Sequence, residues 1–580
     1  MGGKLAIRGI FFIALLSFVF TAEAFGAPMA EGSEAYRTIG VSPRITVWLL
    51  AQTHLWFAAF ILAVPIFVLI LEVVGVLTKD GRYDRLAREF IRVSTTAHIF
   101  TVALGIVFAI ALFFFYPKFM GYMTDIFSPT FFFYIAIFLI DAVLLYVYCF
   151  RWKAMSKGRS KRVHILIGFT LNITGTAIMF IANAWTTFMM TPAGVDRYGV
   201  LKAGLFEAIN NPLWHPMNLH RFIANIAFGG AIVAAYAAYR FLSARRKEER
   251  AHYDWMGYTA SIISIAALLP LPFAGYWLTA EIYAYSQEMG MGLMGGIFGW
   301  VFVVQAVLIG ALFLAVNYYL WCGLERVFGG RRYLPYVKYI AVAVAVSFLV
   351  WLTPHNPILS PTESAAMGGS YHPLLAPLGL MPAKNIAVNI MILATFISFI
   401  FYRRAPREAV HKRAGSLKAI QAAVMTAAVV NIIFVGVYYG YFADSTYKII
   451  SSVIQVLSTL IAITVVSILE FFIYRHARQE WRLRWGEIGD RSQYALILLA
   501  VSFTWLMGLM GFVRSAIRKH WHVYGVVRDN SPEAFTPSIQ EATRVVSIGT
   551  LVFMSMIVFI FYLNRRWLGG EDELGDRDEL

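Results

Sequence analysis

The chain has 580 residues, of which 59% are hydrophobic and only 14% charged, with a mean hydropathy of +0.65. A soluble domain of average make-up is about 45–50% apolar and about 25% charged, so this composition excludes an ordinary soluble enzyme. A net charge of +16 would suggest nucleic acid in a soluble protein, but here the basic residues stand between long apolar runs and read as determinants of membrane topology.

In chain order, the first element is a targeting signal. Lys4 and Arg8 precede an apolar stretch from Ile10 to Phe20, and Ala22-Glu23-Ala24 supplies a small-x-small cleavage site. That pattern is a secretory signal peptide over residues 1–27, or an uncleaved first anchor, so the chain after it begins outside the cytoplasm. Apolar windows of about 20 residues then fall near 45–77, 93–116, 129–150, 163–189, 218–241, 256–277, 292–320, 337–353, 385–402, 418–440, 448–473, 494–513 and 545–563. The expected architecture is all-α: a polytopic membrane helical bundle of about thirteen spans, with the mature N-terminus periplasmic and the chain in a bacterial inner membrane.

The loops support that count. Odd spans run inward and even spans outward, which places on the inner side Lys79, Arg82, Arg85, Arg88 and Arg92, then the basic run Arg151–Arg162, then Arg245, Arg246, Lys247 and Arg250. Later inner loops carry Arg326, Arg331 and Arg332, then Arg403, Arg404, Arg407, Lys412 and Arg413, then Arg475, Arg478, Arg482 and Arg484. Outer loops carry few bases, and the bias holds through every turn, as the positive-inside rule requires. The acidic end over 566–580 reads as a disordered cytoplasmic tail. Two cysteines, Cys149 and Cys322, fall at inner span ends, where no disulfide is expected. There is no Cys-x-x-Cys-His for a c-type haem.

The histidines sort by side. Of twelve, His54, His215, His220, His355, His372, His520 and His522 fall toward the outer half. His98, His164, His252, His411 and His476 lie at or near the inner face, where loop histidines are ordinarily solvated. His54 lies roughly 13 Å into the first span; an imidazole at that depth needs a partner, either a haem iron or metal or a neighbouring backbone carbonyl. Asp141 stands near the middle of the third span, about 18 Å from its outer start, and a carboxylate there must be protonated or paired, which makes it a candidate proton-path group. Glu72 and Glu470, nearer inner ends, can snorkel or pair with loop arginines.

These residues resemble a known family. Leu49-Leu50-Ala51-Gln52-Thr53-His54-Leu55-Trp56-Phe57, followed by Glu72, is similar to the first helix of subunit I of cytochrome bd-type quinol oxidases. Ile181-Ala182-Asn183-Ala184-Trp185 with Thr191-Pro192-Ala193-Gly194 resembles that family's Ala-Asn-Gly/Ser-Trp segment, and Asn211-Pro212 with Leu219-His220 its next histidine helix. Arg518-Lys519-His520-Trp521 stands where the family has Gly-Arg-Gln-Pro-Trp. The likeness covers residues 42–277 well and 448–565 weakly, with a stretch over 278–447 of about four additional spans where the family carries a hydrophilic quinol loop.

The resemblance implies electron transfer with haems near the outer face, quinol or a periplasmic c-type cytochrome as donor, dioxygen as acceptor, and further redox subunits. It implies His54 as an axial ligand of a high-spin haem and His220 of a low-spin haem b. Asn183 and Trp185 would belong to the cofactor-binding segment, Asp141 to proton uptake, and Arg518 and Trp521 to propionates and ring faces. The sequence also departs from the family. Phe133 stands where a buried glutamate is expected and Ser515 where a carboxylate ligand is expected, which argues against a haem d site. His215, His355, His372, His520 and His522 remain alternative ligands to iron or to a copper ion. His215 and His220, five residues apart, point about 140° apart on one helix and would not share an iron.

Three functions fit: a divergent haem b oxidase subunit, an electron-transferring membrane subunit without oxygen chemistry, and a transporter with structural histidines. Nucleic acid is not an expected partner; membrane lipid is.

Overall fold

The computed structural model describes residues 42–294, 298–353, 376–443, 445–475, 477–479, 484–531, 534 and 539–578. The expected signal peptide over 1–27, His355, His372 and His476 lie outside the described residues, as do the side chains of the acidic tail. Among the described residues thirteen helices are long and apolar enough to cross a membrane: α1 Pro43–Thr78, α2 Gly81–Phe115, α3 Pro117–Phe150, α4 Gly158–Phe188, α5 Trp214–Ser243, α6 Lys247–Tyr285, α7 Gly299–Glu325, α8 Leu334–Leu352, α9 Met381–Arg404, α10 Ala414–Tyr441, α11 Ser445–Tyr474, α12 Asp490–Ala516 and α13 Ile539–Asp578. The chain is therefore the all-α polytopic membrane protein that the apolar windows predict. The described residues also form two short antiparallel ribbons, β1 Arg407–Glu408 with β2 Arg478–Gln479 and β3 Trp521–Val523 with β4 Val527–Arg528.

Local chemistry sets the helix ends, and it moves several from where hydropathy puts them. Ser42 caps α1, its Oγ accepting from the Ile45 amide at 3.3 Å, with Pro43 pre-set for the first turn. Only Lys79 and Asp80 separate α1 from α2: Lys79 takes a left-handed turn (φ 56°) and Asp80 caps α2 through the Arg82 amide. Arg82, Arg85, Arg88 and Arg92 thus lie inside α2 rather than in a loop, because a capped first turn carrying Asp84 favours helix despite the charge. Pro117 likewise starts α3 twelve residues before its apolar window. The helix of α6 breaks at Leu269–Pro270 and resumes at Leu271, since proline cannot donate inside a helix.

The chain divides into two compact units. The first comprises residues 42–229, 274–289 and 510–578, and the second comprises 230–273 and 290–509, within the described residues.

In the first unit α1 packs along α2, α4 and α13, and α3 along α2 and α4. Large aromatic side chains of α1 (Trp56, Phe57, Phe60, Phe67) are fully buried. Gly229 lets α5 approach α1 closely, since a Cβ there would lie 2.8 Å from that of Ala63. In the second unit α9 touches α7, α8, α10 and α11. That central place explains its polar faces. Asn317 of α7 bonds Thr395 and Ser398, Asn385 bonds Ser452, Thr459 bonds Asn389, and Arg404 pairs with Glu470 at 2.6 Å. Lys384, fully buried, donates to the carbonyls of Trp351 and Thr353 and so satisfies the end of α8.

Candidate functional site

The expected site residues divide between convergent and peripheral positions. On α1, His54 directs Nδ1 at the backbone carbonyl of Thr101 on α2, 3.0 Å away. A carbonyl only accepts, so Nδ1 carries the hydrogen and Nε2 keeps a lone pair. The carbonyl partner expected of a packing histidine is present, and the tautomer it fixes is also the one that a metal would need. Space for the ring comes from Gly105, where a Cβ would stand 2.9 Å from the imidazole Cε1. Gly105→Ala should raise intrinsic helix propensity by up to about 1 kcal/mol yet displace the His54 ring. The expected result is unchanged or higher thermal stability with an altered absorption spectrum of the purified protein; an unaltered spectrum would remove His54 from the site.

His220 lies on α5 against Gly275, whose added Cβ would sit 3.7 Å from Nε2. Its neighbours are held by Asn183 of α4. That amide donates to Asn218 at 2.7 Å and accepts from Arg221 Nη1 at 2.6 Å, pinning the turns of α5 on either side of His220. Asn183 is therefore a positioning residue. Trp185, from the same segment, turns to α3 instead: its Nε1 donates to Thr130 at 2.8 Å and its ring meets Phe131 and Tyr134.

A second group sits where α12 ends. Arg518 is buried, donates through Nη1 to the His522 carbonyl at 2.6 Å, and leaves Nε without a partner among the described residues. Arg514 Nη1 is also buried without one. Burial, with repulsion from Arg514 and Arg44, pushes the Arg518 guanidinium down to about 9. Two neighbouring buried guanidinium groups with unused donors suit an anionic ligand. The nearby acid is Asp529, which faces Arg44 at 3.9 Å and His522 at 3.5 Å. Trp521 opens β3, with the Arg528 guanidinium 5.7 Å from its ring.

His522 packs on the rings of Tyr116 and Phe119, and burial lowers its pKa from 6.5 to about 4 against the pull of Asp529. Between those values an unfolded segment binds a proton that the folded one refuses. Stability of the 517–531 segment is thus full above pH 6.5 and falls as the pH drops toward 4, by at most about 1.4 kcal/mol per unit. Hydrogen exchange at the Asp529 amide, bonded to the His520 carbonyl at 2.7 Å, should show protection declining through that window. His522→Gln should flatten the decline; an equally steep one in the variant would refute the assignment.

The remaining candidates do not converge. His520 and His215 are exposed, the latter beside the Trp214 ring. Among the described residues no three His, Cys, Asp or Glu side chains gather to hold a metal ion. Phe133 is 60% exposed, so a glutamate at that position would lie on an exposed face of this chain. Ser515 Oγ lies 3.5 Å from Arg518 Nη2. Asp141 is buried on α3, its Oδ1 2.5 Å from Thr174 Oγ1 of α4. Cys149 and Cys322 are free.

Sequence reasoning missed the partners of Glu72. It is fully buried and paired with Lys161 at 2.7 Å and His164 at 2.6 Å, not with loop arginines or lipid-facing water. The missed signal is Lys161-x-x-His164, one helical turn on a single face.

The donor set fits haem: His54 offers a neutral imidazole with a fixed tautomer, and Arg514 and Arg518 offer buried donors for propionates. The model of the family described as cytochrome bd terminal oxidase subunit I matches residues 43–299. A Bacillus subtilis (strain 168) protein named "Putative cytochrome bd menaquinol oxidase subunit I" is 24% identical over 246 residues, 42% of this chain and 54% of that protein. The match thus spans about half the length of that curated relative. The solved structure of bd oxidase from Geobacillus thermodenitrificans aligns with 90% of this chain and 97% of its own, at 14% identity and a TM-score of 0.43.

Proposed function

We propose that this chain, whose residues 43–299 match the model of the cytochrome bd terminal oxidase subunit I family, is a divergent bd-type subunit I and a haem b subunit of a bacterial respiratory complex. In this reading quinol or a periplasmic c-type cytochrome gives electrons at the outer face, further redox subunits complete the assembly, and dioxygen is the acceptor. The observation that carries it is His54, an imidazole deep in the membrane whose Nδ1 is tied to the Thr101 carbonyl and whose Nε2 is left to ligate.

Haem, when bound, supplies one-electron chemistry at its iron. The chain's own residues do the rest. Thr101 and Gly105 hold and accommodate the His54 ring. Asn183 steadies the helix turns around His220 through Asn218 and Arg221. Arg514 and Arg518 supply positive charge for propionates. Asp141, with Thr174 against it, holds a proton inside the membrane, at the edge of the route that neutralises arriving electrons. The basic helix ends face the cytoplasm and the His54 end faces the periplasm.

A reduced-minus-oxidised spectrum of the purified protein should show a b-type band, and reduced quinol should drive oxygen consumption. Absence of any b-type band overturns the reading. A second reading, electron transfer without oxygen chemistry, is favoured by Phe133 and Ser515 standing where the family places carboxylates; it predicts the band without oxygen consumption.

A further inference from the structure

Around Glu72, on the same helix as His54 but roughly 27 Å further along it, the first unit buries a cluster of charges. Glu72 Oε1 accepts from Lys161 Nζ at 2.7 Å and meets His164 Nδ1 at 2.6 Å, while Oε2 accepts from the Tyr148 hydroxyl at 2.5 Å. Lys161 also reaches Asp84 Oδ1 at 2.5 Å, and the Trp152 indole donates to Asp84 Oδ2 at 2.9 Å. These groups come from three helices and a turn: Asp84 from α2, Tyr148 from α3, Trp152 just after it, and Lys161 and His164 from α4.

The imidazole geometry counts the protons. His164 Nε2 faces the Tyr148 backbone carbonyl at 2.9 Å, which only accepts, so Nε2 carries a hydrogen. Nδ1 faces a carboxyl oxygen at 2.6 Å, so this bond holds one further proton, belonging to His164 as imidazolium or to Glu72 as carboxylic acid. With that proton in place, Lys161 and the pair balance Asp84, and the buried cluster is neutral. Removing it leaves a buried net negative charge, which the membrane interior disfavours. The cluster therefore stores one exchangeable proton, and Asp84, whose side chain is 35% exposed, connects it to water.

The same face of α4 leads inward. His164, Gly168, Asn172 and Gly175 follow at helical spacing. A Cβ on Gly168 would lie 2.8 Å from the Tyr148 ring, and one on Gly175 would lie 3.6 Å from Asp141 Oδ1. Asn172 donates to the carbonyls of Gly168 and Pro65, and its Oδ1 is buried with no partner among the described residues. The Tyr148 ring fills the space left at Gly168, Leu62 and Asp141 border Gly175, and the Asn172 side-chain carbonyl oxygen stands between them as a free acceptor among the described residues. From His164 to Gly175 the face rises about 16 Å.

We propose that the Glu72–His164 pair, with Lys161, Tyr148 and Asp84, is a proton-loading site that feeds Asp141 along the Gly168–Asn172–Gly175 face of α4. This rests on the reading of Asp141 as the proton-holding group and of the basic end as cytoplasmic. In each transfer the pair gives its proton toward the Asp141 carboxylate and regains one from water through Asp84, so the cluster returns to its starting charge.

The test uses the full chain in lipid vesicles with a pH-sensitive dye on the basic-end side. Glu72→Gln keeps size and hydrogen bonding but cannot exchange a proton. The expected result is an intact b-type band with proton uptake on haem reduction slowed at least tenfold, a raised solvent isotope effect, and loss of the Glu72 carboxyl signal in the reduced-minus-oxidised infrared spectrum. Tyr148→Phe, a milder change that guards against misfolding, should slow uptake severalfold with the same spectrum. Wild-type uptake rate and infrared signal in both variants overturn the proposal while leaving the haem reading intact. A wild-type protein with the band but no proton uptake overturns the proposal alone, and one without the band overturns both.

Discussion

Purified His54→Ala protein is expected to lose one b-type haem, and His220→Ala another, each seen as a fall in extractable haem and in the reduced-minus-oxidised spectrum. The two losses should differ in kind. His54 is held by a backbone carbonyl, so its removal takes away the ligand and leaves the Thr101 carbonyl and the Gly105 cleft in place. External imidazole can then enter, and partial restoration of the spectrum by millimolar imidazole is the signature of a ligand role. His220 sits between Asn218 and Arg221, both tied to Asn183, so its loss should leave α5 in place and the protein folded. Asn183→Ala is the contrasting case: it leaves Arg221 and Asn218 without that partner and should broaden the His220-linked signal rather than abolish it. Haem content equal to wild type in both histidine variants would remove these residues from the site.

Replacing Asp254 by alanine should cost stability on a scale that unfolds the second unit. Asp254, on α6, is buried, pairs with Arg326 at the end of α7, and accepts from the Gly486 amide at 2.8 Å. Arg326 donates in turn to the Tyr402 hydroxyl of α9 and stacks on the Trp485 ring, 4.9 Å from its centre. Three helices and the approach to α12 therefore meet on one charge. Truncating the carboxylate strands a buried guanidinium, which costs about 3–5 kcal/mol. The double variant Asp254→Leu with Arg326→Leu removes both charges and should recover much of that loss. Thermal unfolding in detergent, followed by helix content, checks both; a single variant that melts with wild type would show the pair to be dispensable.

Much of the fold is legible in the sequence because a membrane imposes a length and a composition on each helix. The thirteen apolar windows correspond to α1–α13, although helix ends follow caps rather than hydropathy. Asp80 carries α2 back through four arginines, and no window scan sees a cap. The candidate ligands could be picked out in the sequence, but the groups around them could not. His54 stands out as an imidazole in an apolar run, whereas its partner is a main-chain carbonyl, which has no letter in the sequence. The same limit hid the proton cluster: Glu72 and His164 meet across 92 residues, and each alone reads as an ordinary helix-end polar group. Arg514, whose Nη1 is buried within α12 with no partner among the described residues, stands in an apolar run with no motif to mark it. His215, by contrast, looked like a ligand and is exposed.

The polar faces of α9 bear on how the protein is made. A helix carrying Lys384, Asn385, Asn389, Thr395 and Arg404 within 24 residues gains little from leaving the translocon alone, because each polar group costs free energy in lipid until a neighbour satisfies it. Its partners are Asn317 on α7 and the Trp351 and Thr353 carbonyls at the end of α8, made before it, and Ser452, Thr459 and Glu470 on α11, made after it. Biogenesis of the second unit is thus a matter of timing: α9 must wait beside α7 and α8, half satisfied, until α11 has been synthesised and the group can enter the lipid together.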